Sequence, residues 1–116
     1  MNREIKFRGK HSNKWIYGYL LKNIDDNKYY ISVSLDQFYQ VKEETIGQYT
    51  GLKDKNGVEI YEGDKVKAKF YGKEVVGEIG FNSGCFLLWN SCVSDNQLFI
   101  FTDIEVIGNI YENEVD

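Results

Sequence analysis

The apolar residues of this chain recur at every second position instead of every third or fourth. They are drawn mainly from Ile, Val, Tyr, Phe and Trp, the side chains that suit a pleated, half-buried surface. Ile5 and Phe7 alternate with Lys6 and Arg8. Trp15, Tyr17 and Tyr19 alternate with Ile16, Gly18 and Leu20, and Tyr29, Ile31 and Val33 with Tyr30, Ser32 and Ser34. This pattern predicts three strands in the first third, the second and third joined by a hairpin turn at Asp25-Asp26-Asn27. From Leu35 to Glu44 the alternation weakens. Phe38 and Val41 are three apart, so a helical turn competes with a strand, and the segment is expected to be mostly irregular. The 116 residues contain no proline, and their apolar share of 42% is that of a folded globular chain.

Between Gln48 and Asp64 the sequence packs turn formers between apolar runs. Asn56-Gly57 is the strongest hairpin signal in the chain, because both residues reach positive φ at low cost. Beyond it, Val66, Ala68 and Phe70 alternate with Lys65, Lys67 and Lys69, which predicts a strand over 65–71 with one face in the core. Further strands are expected over 74–81, 85–90, 97–101 and 104–111. Gly72-Lys73 and Asn82-Ser83-Gly84 supply turns between them. Five short strands at this spacing suggest a small barrel, and Gly47, Gly77, Gly80 and Gly108 suit the bends that closure needs.

The Gln48–Asp64 block resembles the signature of the YopX proteins, a family of small proteins from bacterial phages and prophages. Arg3-Glu4-Ile5-Lys6-Phe7-Arg8 and Ile107-Gly108-Asn109-Ile110-Tyr111-Glu112-Asn113 extend the likeness to both ends. The resemblance implies an all-β protein, with an N-terminal β unit over 1–52 packed with a C-terminal SH3-like five-stranded barrel over 53–116, or the two as one compact whole. It implies no established activity and no catalytic residues.

The chemistry of the side chains points away from catalysis. His11, the one histidine, lies in the polar loop Lys10-His11-Ser12-Asn13 with no identifiable catalytic partner. Cys85 reads as a small hydrophobe in a strand and Cys92 as a residue of a more polar stretch. Two cysteines without a CxxC pair argue against a disulfide scaffold and a zinc site, and for a reducing bacterial cytoplasm. No secretory leader and no apolar run of membrane-spanning length is read, so no membrane role is expected. Asp54-Lys55-Asn56-Gly57 has the look of a calcium loop. Aligned on Gly57, however, it puts Leu52 and Gly63 where the two decisive acids belong. Neither a metal nor another cofactor is predicted.

Charge is unevenly spread. All 14 Lys and Arg lie at or before Lys73 with 10 acids, a net +4, while residues 74–116 hold 8 acids and no base, a net −8. Such asymmetry can steer a partner or a second copy of the chain, whose basic and acidic parts are complementary. The expected function is therefore a non-enzymatic protein–protein interaction module with an unknown protein partner or itself. Its contact residues are expected among Thr50, Lys53, Lys55, Glu59, Tyr61, Glu62, Lys65, Lys67, Lys69 and Tyr71, with Tyr61 and Tyr71 as exposed aromatic anchors. The alternative is nucleic-acid binding through Lys6, Arg8 and Lys10 and the Lys65, Lys67, Lys69 stripe. Against it stand the acidic balance and the common use of strand lysines to prevent edge-to-edge aggregation.

Overall fold

The computed structural model describes residues 4–82, 84–90, 94–97 and 101–111. They form eleven strands: β1 (Phe7–His11), β2 (Lys14–Asn23), β3 (Lys28–Ser34), β4 (Gln37–Val41), β5 (Gly47–Lys53), β6 (Glu59–Tyr61), β7 (Asp64–Phe70), β8 (Lys73–Asn82), β9 (Cys85–Asn90), β10 (Ser94–Gln97) and β11 (Thr102–Asn109). The protein is all-β with two antiparallel sheets, and a single 3-10 turn at Glu43–Thr45 is the helical element among the described residues. One sheet runs in the order β4-β3-β2-β1-β5-β6, the other β10-β9-β8-β7-β11. Contacts divide the chain into two compact units, Met1–Gly51 and Leu52–Asp116.

In the first unit β2 serves two ladders. Its first half pairs with β1, Phe7 opposite Gly18 to His11 opposite Lys14, and its second half pairs with β3, Tyr19 opposite Ser32 to Asn23 opposite Lys28. Gly18 sits at the switch, where any Cβ would overlap the Ser32 carbonyl oxygen, so only glycine lets the strands fold this closely. The segment expected to be irregular holds β4, and its register explains the weak signal. Phe38 lies opposite Ser32 and Gln40 opposite Tyr30, while Tyr39 faces buried Ile31 and Val41 faces Tyr29. Phe38 and Val41 thus occupy opposite faces of one strand, and their spacing of three is no helical turn. The chain leaves β4 against β1: the Lys42 N–H reaches the Lys10 carbonyl at 2.9 Å, and buried Thr45 accepts the Lys10 N–H at 2.8 Å while donating to the Lys42 carbonyl at 2.7 Å.

The second unit owns a continuous core of Ile60, Val66, Ala68, Ile79, Leu88 and Phe101, with Phe70, Val75, Phe86, Ile104 and Val106 packed against it. Each large side chain removed from water here contributes about 1.5–3 kcal/mol. The strand expected over 97–101 falls mostly outside the described residues, which omit 98–100; Gln97 ends β10 and Phe101 is a core residue before β11. The expected turn residue Ser83 and Cys92, read as part of a more polar stretch, also lie outside them. Among the described residues the five strands do not close into a barrel. β10 and β11 stand at opposite ends of the sheet, and β11 slips register twice, between Thr102 and Glu105 and between Val106 and Gly108. Gly108 marks the second bulge as expected of a glycine within a strand, whereas Gly77 and Gly80 serve close approach, a Cβ at Gly77 overlapping the Trp89 carbonyl and one at Gly80 lying 2.7 Å from the Trp89 ring.

Candidate interaction surface

The signature block is built as an anchor. Asp54 is buried, and its Oδ1 accepts the N–H groups of Asn56 at 2.8 Å and Val58 at 2.9 Å, closing the Asn56-Gly57 turn, while its Oδ2 accepts the Val106 N–H of β11 at 2.9 Å. Burial alone would raise this carboxyl. The three N–H groups outweigh it and hold the group below its ordinary value of 3.8. At the block's other end buried Asp64 accepts the Tyr61 N–H at 2.7 Å, and Gly63, with φ +94°, is clamped between the Ile79 carbonyl and the Ile110 N–H. The loop is thereby pinned to β8 and the end of β11.

These contacts sort the residues anticipated for binding. Tyr61 is only 2% exposed, with its hydroxyl donating to Glu59 at 3.0 Å, so it is not a surface anchor. Its neighbours, Glu59 in β6 and Glu62 in the turn, are half-buried, as is Thr50 in β5, and Lys53 ends β5 exposed. Tyr71 is 88% exposed at the tip of the β7–β8 hairpin. Tyr71 and Gly72 both have positive φ, 51° and 83°, in a turn that ordinarily favours Asn-Gly. The lysine stripe of β7 does point away from the core, as the alternation predicts, but it carries partners. Lys67 lies 3.8 Å from both Glu74 and Glu105, Lys69 lies 3.6 Å from Asp103, Lys55 reaches Glu105 at 3.6 Å, and Lys65 stands opposite Glu78. Acids from the residue range 74–116 interleave with these lysines, so β7 does not carry an unshielded basic stripe. In the first unit Lys6, Arg8 and Lys10 share a strand face, yet Arg8 is buried with its guanidinium 4.5 Å from the Trp15 ring centre, and Lys10 lies over the same ring at 5.4 Å.

The largest unforeseen feature lies on β2, β3 and β4. Tyr17, Tyr19 and Leu21 emerge on one side of β2, and cross-strand register sets Tyr30 opposite Leu21 and Phe38 two strands away from Tyr19 across Ser32. Tyr19 is 68% exposed, Phe38 49%, and Tyr17 and Leu21 are nearly half exposed. A shallow groove of about 460 Å³ runs between Leu21, Lys22, Asn23, Tyr30 and Phe38. The Tyr30 hydroxyl donates to Asp26 at 2.7 Å, which holds the Asp26 carboxyl below its ordinary value, raises the Tyr30 phenol and fixes that ring at the groove wall. Ile24 and Leu35, in the turns at the two ends of β3, are almost wholly exposed as well. The signal in the sequence was β2 itself. Both of its faces are apolar, and periodicity alone does not say which one meets the core.

His11 is occupied structurally, its Nδ1 2.8 Å from the Gln40 carbonyl and its ring edge-on to Tyr39. Among the described residues no three His, Cys, Asp or Glu side chains gather in a way that would hold a metal ion, and no helix is long and apolar enough to cross a membrane. Residues 6–115 match the family described as YopX protein. No curated protein matches the chain.

Proposed function

The chain belongs to the YopX family, and we propose that it is a non-enzymatic protein-binding module which presents the outer face of β2, β3 and β4 to a protein partner. The observation that carries this reading is the gathering of Tyr17, Tyr19, Leu21 and Phe38 on one exposed face. Leaving such side chains in water forgoes about 1.5–3 kcal/mol each, and contiguous apolar surface of this kind marks sites that are covered on binding. Leu21, Ile24 and Leu35 favour protein over nucleic acid, because aliphatic side chains neither stack on bases nor bind phosphate. The partnered lysines of β7 favour the same choice. The strand order β10-β9-β8-β7-β11 is a four-strand meander with the last strand returned beside the first, which supports an SH3-like reading of the second unit. Family membership and cysteine usage favour a phage or prophage protein working in the bacterial cytoplasm.

The test is an affinity pulldown from bacterial lysate treated with nuclease, comparing the wild-type chain with Leu21→Asp, Tyr19→Ala and a Lys67→Gln control, each checked for folding by circular dichroism. We expect one protein to be retained by the wild type and by Lys67→Gln and lost with both outer-face variants. A protein retained equally by all four, or recovery that vanishes with nuclease, would sink this reading.

A further inference from the structure

We infer that β4 is a self-pairing edge: a second copy of the chain lays its own Gln37–Tyr39 segment antiparallel beside it, about a two-fold axis at Phe38. Among the described residues four strands end the two sheets, β4, β6, β10 and β11. Soluble proteins keep such ends from pairing by means of charge, proline or bulges. β6 carries Glu59, and β11 carries Asp103 and Glu105 together with its two register slips. β4 reads Gln-Phe-Tyr-Gln-Val, with no charge and no proline, and its register slip against β3 lies between Gln37 and Phe38. A two-fold axis sets a strand against its own copy, so self-pairing of β6 or β11 would bring like carboxylates together, whereas β4 meets only neutral groups.

The backbone selects the centre. The Gln40 carbonyl points to the His11 ring and the Lys42 N–H to the Lys10 carbonyl, so residues of this parity turn their backbone groups away from β3. Phe38 has the same parity, the register running unbroken from Phe38 to Val41, and β1 reaches the strand from its Val41 end as far as the Gln40 carbonyl and the Tyr39 ring, both of which His11 contacts. The N–H and carbonyl of Phe38 are therefore placed to exchange two hydrogen bonds with those of its copy. The half-exposed Phe38 ring, the Tyr39 ring and Leu35, 99% exposed at the tip beside β4, supply the apolar contact around this centre. A ladder this short forms a weak dimer, with a dissociation constant on the order of 100 µM. The dimer shares Phe38 with the proposed partner surface but rests on the backbone edge of β4, so a change on β2 separates the two readings.

Sedimentation velocity from about 5 µM to about 1 mM tests the dimer, a range set around that constant. The wild type is expected to shift from monomer to dimer. Phe38→Lys and Phe38→Glu each place like charges on the axis and are expected to stay monomeric, and their equimolar mixture to recover dimer. The half-exposed position tolerates either side chain. Independently of any variant, exchange of the Phe38 amide proton is expected to slow as protein concentration rises. Tyr19→Ala is expected to keep the dimer while losing the foreign partner. A wild type that remains monomeric throughout, a mixture that fails to associate, or Phe38 exchange indifferent to concentration would overturn the proposal.

Discussion

Asp54 shows how much one side chain organises. Its carboxylate accepts three backbone N–H groups, two from its own turn and one from β11. Charge-assisted bonds are stronger than neutral ones, and a buried donor stripped of its acceptor is costly. Asp54→Ala is expected to destabilise the protein by about 3 kcal/mol in urea unfolding; a loss below about 1 kcal/mol, the value of a single ordinary bond, would contradict the anchoring role. The pH dependence has a definite sign. Because the folded-state carboxyl titrates below its ordinary value of 3.8, its stabilisation is complete above that value. It declines as the pH falls below 3.8, where the unfolded chain takes up the proton first, and is gone once the pH has passed through the depressed folded value. Asp54→Asn is expected to flatten this acid limb of a stability–pH profile, and an unchanged limb would assign it to other carboxylates. The residue types of the block made a turn legible from the sequence. The bond to Val106, 52 positions away, was not legible, because no local pattern encodes it.

At the scale of elements, β7 behaves as its alternation predicts, with Val66 and Ala68 inward and the lysines outward. What it faces was decided by its neighbours. β8 and β11 flank it, and their Glu74, Glu78, Asp103 and Glu105 come to lie against the lysines. These pairs are partly exposed and each contributes less than about 1 kcal/mol, yet reversing the central one leaves a cluster of like charge. Lys67→Glu is expected to lower stability by roughly 1 kcal/mol, with the loss shrinking at high salt. A neutral effect at low ionic strength would show that the ladder is loose enough for the charges to part. β4 teaches the complementary lesson. Its five residues alternate correctly, but Gln37, Phe38, Tyr39 and Gln40 are all exposed, and a strand with little buried face leaves a weak pattern.

For the whole molecule, the two units differ in how they hold together. The second has the continuous core around Ile60, Val66, Ile79 and Leu88, whereas in the first the strands β2 to β4 expose large apolar side chains to solvent. Native-state hydrogen exchange is therefore expected to be slowest at the amides of Val66, Ala68, Ile79 and Leu88 and faster across β3 and β4. Equal protection in both would mean that the chain opens only as one cooperative body. The sequence alone determined the all-β class, the positions of most strands and turns, and the family, because side-chain period, β-branched and aromatic composition and turn chemistry are local properties of the chain. Only the tertiary structure decided that Tyr61 is buried, that the β7 lysines meet acids from later strands, and that one apolar face of β2 remains in water. Each of these depends on which strands become neighbours, and strand pairing is settled by long-range packing that no run of adjacent residues contains.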